Sequence, residues 1–160
     1  MHSTIILIAF LIASFAAAAT GAVFRPGDWY RQLDKPKWRP PDWLFAPVWT
    51  VLYTLIAFSG WLVWRQAGFV GAALPLTIYA AQLFLNAAWT PIFFGLHRVG
   101  LALAEILMLW ASIMVTIILF YLVNSAAAFI LMPYLAWVSF ASVLTFSIWR
   151  RNRATSTKFA

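Results

Sequence analysis

Five apolar runs of about 20 residues, separated by breaks that hold nearly all of the charge, constrain this chain more than any other feature. At ~1.5 Å of rise per residue such a run is roughly 30 Å long as a helix, one hydrocarbon thickness of a bilayer. The runs cover residues 5–24, 46–64, 74–94, 101–123 and 126–149. The chain is 64% hydrophobic and 9% charged, against about a quarter charged in ordinary globular domains. It reads as one integral membrane domain over residues 1–160, an all-α, five-transmembrane-helix bundle. A secretory signal competes for the first run. Its N-terminal flank has no Lys or Arg, however, and the run exceeds the ~7 to 15 residues of a signal core, so it reads as a retained helix.

The breaks orient the bundle. Arg25, Arg31, Lys35, Lys37, Arg39, Arg98, Arg150, Arg151, Arg153 and Lys158 fall on one face, and only Arg65 falls on the other. By the positive-inside rule the N-terminus is outside and the C-terminus cytoplasmic. Helical spans, rather than a barrel, point to a bacterial inner membrane. The first break, residues 25–45, is an ordered loop. Pro26, Pro36, Pro40 and Pro41 forbid a continuous helix, while Trp29, Tyr30, Trp38 and Trp43 give it apolar mass to bury. The tail, residues 150–160, reads as basic and frayed.

Within the third run Gln82, Asn86 and Trp89 stand four and three residues apart, on one helix face. Lipid cannot satisfy side-chain amides, so that face looks into the protein or onto a ligand. Interhelical glue and ligand contact are evenly matched for Asn86 and Gln82. Trp89 and Trp137 lie too deep in their runs for an interfacial belt, and Trp137, Ala141 and Leu144 share a face on which an indole stands above a small-residue gap. Glu105 is the one acid inside a run, about a turn from the basic face, where it can snorkel towards Arg98. The loop cations Arg25, Arg31, Lys35, Lys37 and Arg39 meet lipid headgroups or, with the loop as a lid, the carboxylates of an amphiphile whose body enters the helices. Without Cys, disulfides, thiolate nucleophiles and Cys-ligated metals are excluded, and no other metal set, nucleophile elbow or phosphate loop occurs. Nucleic acid is disfavoured, because topology accounts for the positive charge.

Several segments in order, KPKWRPP (35–41) after Trp29-Tyr30, PVWTVLY (47–53), QLFLNAAWTPIFFG (82–95) and PYLAWVSFASVLTFSIWR (133–150), resemble the TspO/translocator protein family over nearly the full length. That resemblance implies a five-helix bundle, often a homodimer, with a pocket beneath the first loop. The pocket takes porphyrins such as protoporphyrin IX, sterol-like lipids and synthetic benzodiazepine-type ligands, and no resident cofactor is required. Its family positions correspond to Trp29, Tyr30, Trp38, Trp49, Asn86, Trp89 and Trp137. Sensory, regulatory or translocation roles are implied. So is light- and oxygen-dependent porphyrin breakdown involving the indoles matching Trp49 and Trp137. A membrane scaffold or lipid-binding module is the plainer alternative. The family's sterol segment runs Leu, Tyr, Arg, but here it runs Leu144, Phe146, Arg150, and the missing phenol argues against sterol binding of that type.

Overall fold

A computed structural model describes residues 2–156 as helices and connections, with no strand among them. Helix α1 covers His2–Val23 and stops before the Arg25-Pro26-Gly27 sequence. The first loop is itself partly helical, with α2 at Asp28–Gln32 and a 3-10 turn at Asp42–Leu44 leading directly into α3, Phe45–Gly71. Pro47 sits in the first turn of α3, where a missing N–H costs nothing. Helix α3 continues past Arg65 and breaks only at Gly68, whose φ of 68° suits a residue without a Cβ. The turn expected after residue 64 is therefore delayed.

Helix α4, Ala73–Thr90, passes into a widened π turn at Pro91–Gly95. Pro91 has no N–H, so the α ladder cannot run through it unchanged, and the Leu96 amide reaches back to the Pro91 carbonyl at 2.9 Å. Helix α5 covers Val99–Val123. Asn124 caps the short α6, Ser125–Ile130, by accepting from the Ala127 amide at 3.1 Å. The last predicted helix is thus divided: α7, Met132–Ser156, begins beyond Leu131, with Pro133 in its first turn. The basic tail is not frayed over its described part, since α7 stays helical to Ser156. Residues 157–160, with Lys158, lie outside the described residues.

Four helical stretches are long and apolar enough to cross a membrane: His2–Val23, Asp42–Gly71, Val99–Val123 and Ser125–Arg153. Helix α4 is not among them, and its two amides are one reason. Its buried positions are Tyr79, Gln82, Leu83 and Asn86, a single stripe that carries both amides inward. Helix α4 packs on α1, α3 and α5, and α5 also meets α6 and α7. Most of the exposed large side chains are aliphatic or aromatic residues of the long helices, the surface a hydrocarbon solvent accepts.

Glu105 departs from its sequence reading. It is 3% exposed, and neither carboxylate oxygen has a hydrogen-bond partner among the described residues. The cause is helical phase. Ala102, Glu105, Ile106, Leu109 and Ile113 recur at three- and four-residue steps along the buried face of α5, so the side chain is held in the packed interior and not at the surface.

Candidate functional site

A cavity of about 450 Å³ opens beneath the first loop, walled by α1, α3, α4, α5 and α7. Trp49 enters from α3, Asn86 and Trp89 from α4, and Trp137, Ala141 and Leu144 from α7, while Tyr30 closes it from α2. The three- and four-residue spacings within α4 and α7 put each set on one face, and packing turns those faces toward each other. Aromatic contacts hold the walls: Trp49 stacks on Tyr53 at 5.3 Å, Trp89 stacks on Phe93 at 4.9 Å, and Phe45 meets Trp137 edge-on at 5.7 Å.

At its deep end lies a chain of polar groups that no single run reveals. The Tyr53 hydroxyl donates to Asn86 Oδ1 at 2.5 Å, Asn86 Nδ2 donates to the Tyr134 hydroxyl at 2.7 Å, and that hydroxyl donates to Gln82 Oε1 at 2.9 Å. Asn86 therefore joins α3, α4 and α7 and also lines the cavity, so glue and wall are the same residue. Gln82 is deeper, 1% exposed, and does not line the cavity. The missed signal was Tyr53 and Tyr134, two phenols inside apolar runs, each obliged to find a partner.

Two indole donors of wall residues are unpaired. The indole nitrogens of Trp89 and Trp137 are buried and have no partner among the described residues. Each carries the cost of an unsatisfied buried group, about 1–3 kcal/mol.

The lid is built differently from its sequence reading. Trp29 does not line the cavity; it stacks on His97 at 4.4 Å and meets Phe93 edge-on, pinning α2 to the turn before α5. His97 holds a φ of 56°, a costly conformation for a residue with a Cβ. Trp38 is 51% exposed and rests on Phe140. None of Arg25, Arg31, Lys35, Lys37 and Arg39 lines the cavity. The Lys35 ammonium turns back onto the carbonyls of Tyr30, Arg31 and Leu33, closing the C-terminal end of α2. Burial, reinforced by Arg39 nearby, holds that ammonium below the usual lysine range. Arg39 pairs with Asp42 at 2.6 Å, and it is Asp42, an acid, that reaches the cavity rim. Burial pushes the Tyr30 phenol up, so it faces the cavity as a neutral group. Arg31, Lys35, Lys37 and Arg39 instead line a shallow groove on the outer side of the loop.

The far end of the loop is clasped by α7. Asn152 accepts from the Asp34 amide at 3.0 Å and donates to the Asp34 carbonyl at 2.9 Å, so one carboxamide satisfies both backbone groups. Arg151 adds a 3.4 Å contact to the Asp34 carboxylate.

This geometry, an indole-walled cavity under a Trp- and Pro-rich loop, occurs in a sequence whose residues 5–150 match the profile of the TspO/MBR family. The chain belongs to that family. It is 42% identical over 147 residues to Protein CrtK of Rhodobacter capsulatus, covering 89% of this chain and 90% of the relative. It is 40% identical over 148 residues to the human translocator protein, covering 89% and 88%. A tryptophan-rich sensory protein of Cereibacter sphaeroides is 39% identical over 147 residues, 92% of this chain and 91% of the relative. As a TspO/MBR protein with four helices fit to cross a bilayer, the chain is an integral membrane protein.

Proposed function

We propose that this TspO/MBR protein binds porphyrins or related planar hydrophobic ligands in the cavity under the first loop, in a regulatory or translocating role. The observation that carries the reading is the wall itself. Three indoles, Trp49, Trp89 and Trp137, surround a space of about 450 Å³, within the ~300–1,000 Å³ of small-molecule sites, and two of them hold unpartnered N–H donors. A flat aromatic ligand gains stacking from the indoles. The loop cations, on the outer side of the lid, serve anionic headgroups or the solvent-facing carboxylates of a ligand. In the same reading α4 crosses as the fifth span, since its amides face inward and it packs between α1 and α5. The cationic end is cytoplasmic in a bacterial inner membrane, and two copies form a homodimer.

Porphyrin titration into the purified protein tests the function. Saturable quenching of tryptophan fluorescence is expected, and its absence refutes the site. A second reading, oxidation of bound porphyrin by light and oxygen with Trp49 or Trp137 as electron donor, draws on both indoles being cavity walls. Bleaching of the illuminated complex that is unchanged in Trp49→Phe and Trp137→Phe would eliminate it.

A further inference from the structure

The positive-inside rule accounts for a cationic end of the bundle, but not for how the cations at that end are arranged. Arg25 folds back on its own helix, its Nε donating to the Ala22 carbonyl at 3.0 Å. Arg31, Lys35, Lys37 and Arg39 converge instead on the groove outside the first loop, where Asp34 is the single acid among the walls. The groove spans about 480 Å³, room for a small ligand. Its backbone is stiff. Pro36, Pro40 and Pro41 each fix their own φ, and the Arg39 amide donates to the Pro36 carbonyl at 3.2 Å. The Asn152 carboxamide holds Asp34 through both backbone groups. Arg151, which does not line the groove, takes the Asp34 carboxylate at 3.4 Å. Arg31 meets the exposed Asp28 only at 3.5 Å, and Lys37 makes no ion pair among the described residues. The walls therefore carry positive charge in excess, on a backbone ordered before any ligand arrives.

Two of these cations also hold the cavity. The Lys35 ammonium lies 4.6 Å from the centre of the Tyr30 ring as well as on the Tyr30 carbonyl. Arg39 pairs with Asp42 at 2.6 Å, and its charge opposes the burial that pushes the Tyr30 phenol up. Tyr30 and Asp42 both line the cavity, and neither cation does. Asp42 and Pro26 are exposed on the loop side of the cavity, so this rim is open to water. Arg39 thus has the groove on one side and the cavity rim on the other. Its bond to Asp42 is a partly exposed ion pair, weak enough to be exchanged for a multiply charged phosphate, which offers a guanidinium more acceptor oxygens.

We infer that the groove is a second binding site, for a phosphate-bearing anion, and that filling it weakens the cavity's hold on anionic ligands by drawing Arg39 away from Asp42. The groove site stands apart from the proposed binding function, while its effect on the cavity rests on that function. With Arg39 withdrawn, Asp42 is a bare carboxylate at the rim and repels the carboxylates of a ligand. A neutral ligand meets no such penalty. Coupling between sites is reciprocal, so a carboxylate ligand in the cavity also loosens the phosphate. A lipid headgroup and a soluble compound present the same phosphate oxygens. Trp43, 71% exposed beside the groove, suits the interface level at which headgroups lie.

Lys37 reports on the groove without any porphyrin. In phosphatidylcholine nanodiscs at constant ionic strength, inorganic pyrophosphate or the replacement of roughly a tenth of the lipid by phosphatidic acid should protect Lys37 from acetylation, read by mass spectrometry. Protection by phosphatidic acid alone assigns the phosphate to a lipid, and protection by pyrophosphate alone assigns it to a soluble compound. Protection by neither overturns the site. Arg31→Gln with Arg39→Gln should abolish the protection. Arg150→Gln with Arg153→Gln removes the same charge from positions that do not line the groove and should retain it; equal loss in both pairs would mean a general surface potential and overturns the site as well. Tryptophan quenching reads the coupling. With the protecting anion present, the Kd of protoporphyrin IX should rise about fivefold and that of its dimethyl ester should stay the same. Arg39→Gln should bind the diacid as weakly without the anion as the parent does with it, and in Asp42→Asn the anion should have no effect. An anion effect kept in Asp42→Asn would show direct competition for the groove and overturn the exchange at Arg39. No saturable quenching in any condition refutes the binding function, and Lys37 still decides the groove. Saturable quenching unmoved by the anion, with Lys37 protected, refutes the coupling alone.

Discussion

Replacing Tyr134 by Phe removes one oxygen atom, the hydroxyl that links Asn86 to Gln82. That hydroxyl accepts from Asn86 Nδ2 and donates to Gln82 Oε1, and its residue is fully buried. Interhelical hydrogen bonds in membranes average ~0.6 kcal/mol and reach ~1.7 kcal/mol. Two such bonds give about 1.2 kcal/mol, rising to about 3 kcal/mol if both approach the upper value. The upper part of that range is expected here, because the Gln82 Nε2 group already lacks a partner and the variant would leave the whole amide unpaired. Equilibrium unfolding in mixed micelles, followed by helical circular dichroism, measures the loss. A double-mutant cycle with Gln82→Leu sharpens it. Once Tyr134 is Phe, removing the orphaned amide should be neutral or stabilising, while in the parent it should destabilise. A Tyr134→Phe protein within ~0.3 kcal/mol of the parent, with an additive cycle, would show that these contacts carry no net energy and refute the reasoning.

Other outcomes follow from the same geometry. Gly60→Ala should destabilise by about 1–3 kcal/mol in the same unfolding assay, since its methyl collides with Phe10 and Tyr79, whereas Gly21→Ala should be neutral or stabilise by up to ~1 kcal/mol. Glu105→Leu should raise stability by about 1–4 kcal/mol, because the carboxyl is buried with no partner among the described residues; a lower unfolding midpoint would mean that it has one. Trp89→Phe and Trp137→Phe should each weaken porphyrin affinity several-fold, about 1 kcal/mol, with little change in ligand-free stability, as their indole N–H groups have no partner among the described residues. Asn152→Ala should speed proteolytic cleavage within residues 25–41, measured on protein in vesicles, and unchanged cleavage would show that the clasp does not hold the loop.

The apolar runs placed the long helices because their length and charge-free stretches are one-dimensional properties. Asn86 and Trp89, and separately Trp137, Ala141 and Leu144, could each be placed on one helix face because spacing alone decides that; that the two faces meet across one cavity is implied only by the family resemblance. Trp29 and Trp38 could not be separated from Trp49 in this way. The difference lies in where the loop folds, and a segment with four prolines has no periodicity to read. The placement of the cations was hidden for a related reason. A sequence shows that Lys35 is charged, but not that its ammonium turns back onto three carbonyls. Glu105 was misread because α5 is apolar all round, so its buried face leaves no contrast in the sequence. The division of the last run needed only Pro133, which marks a helix start as readily as an interior kink.

The clasp between Asp34 and Asn152 joins positions 118 residues apart. Synthesis proceeds from the N-terminus, so the loop over the cavity emerges well before the helix that fastens it. Until then the roof has its aromatic residues but not the carboxamide that satisfies its backbone at Asp34, and the wall lacks Trp137. On the proposed binding function, a nascent chain can therefore insert its first helices before it can hold a ligand. Docking of the final helix and closure of the roof are in this way the same event.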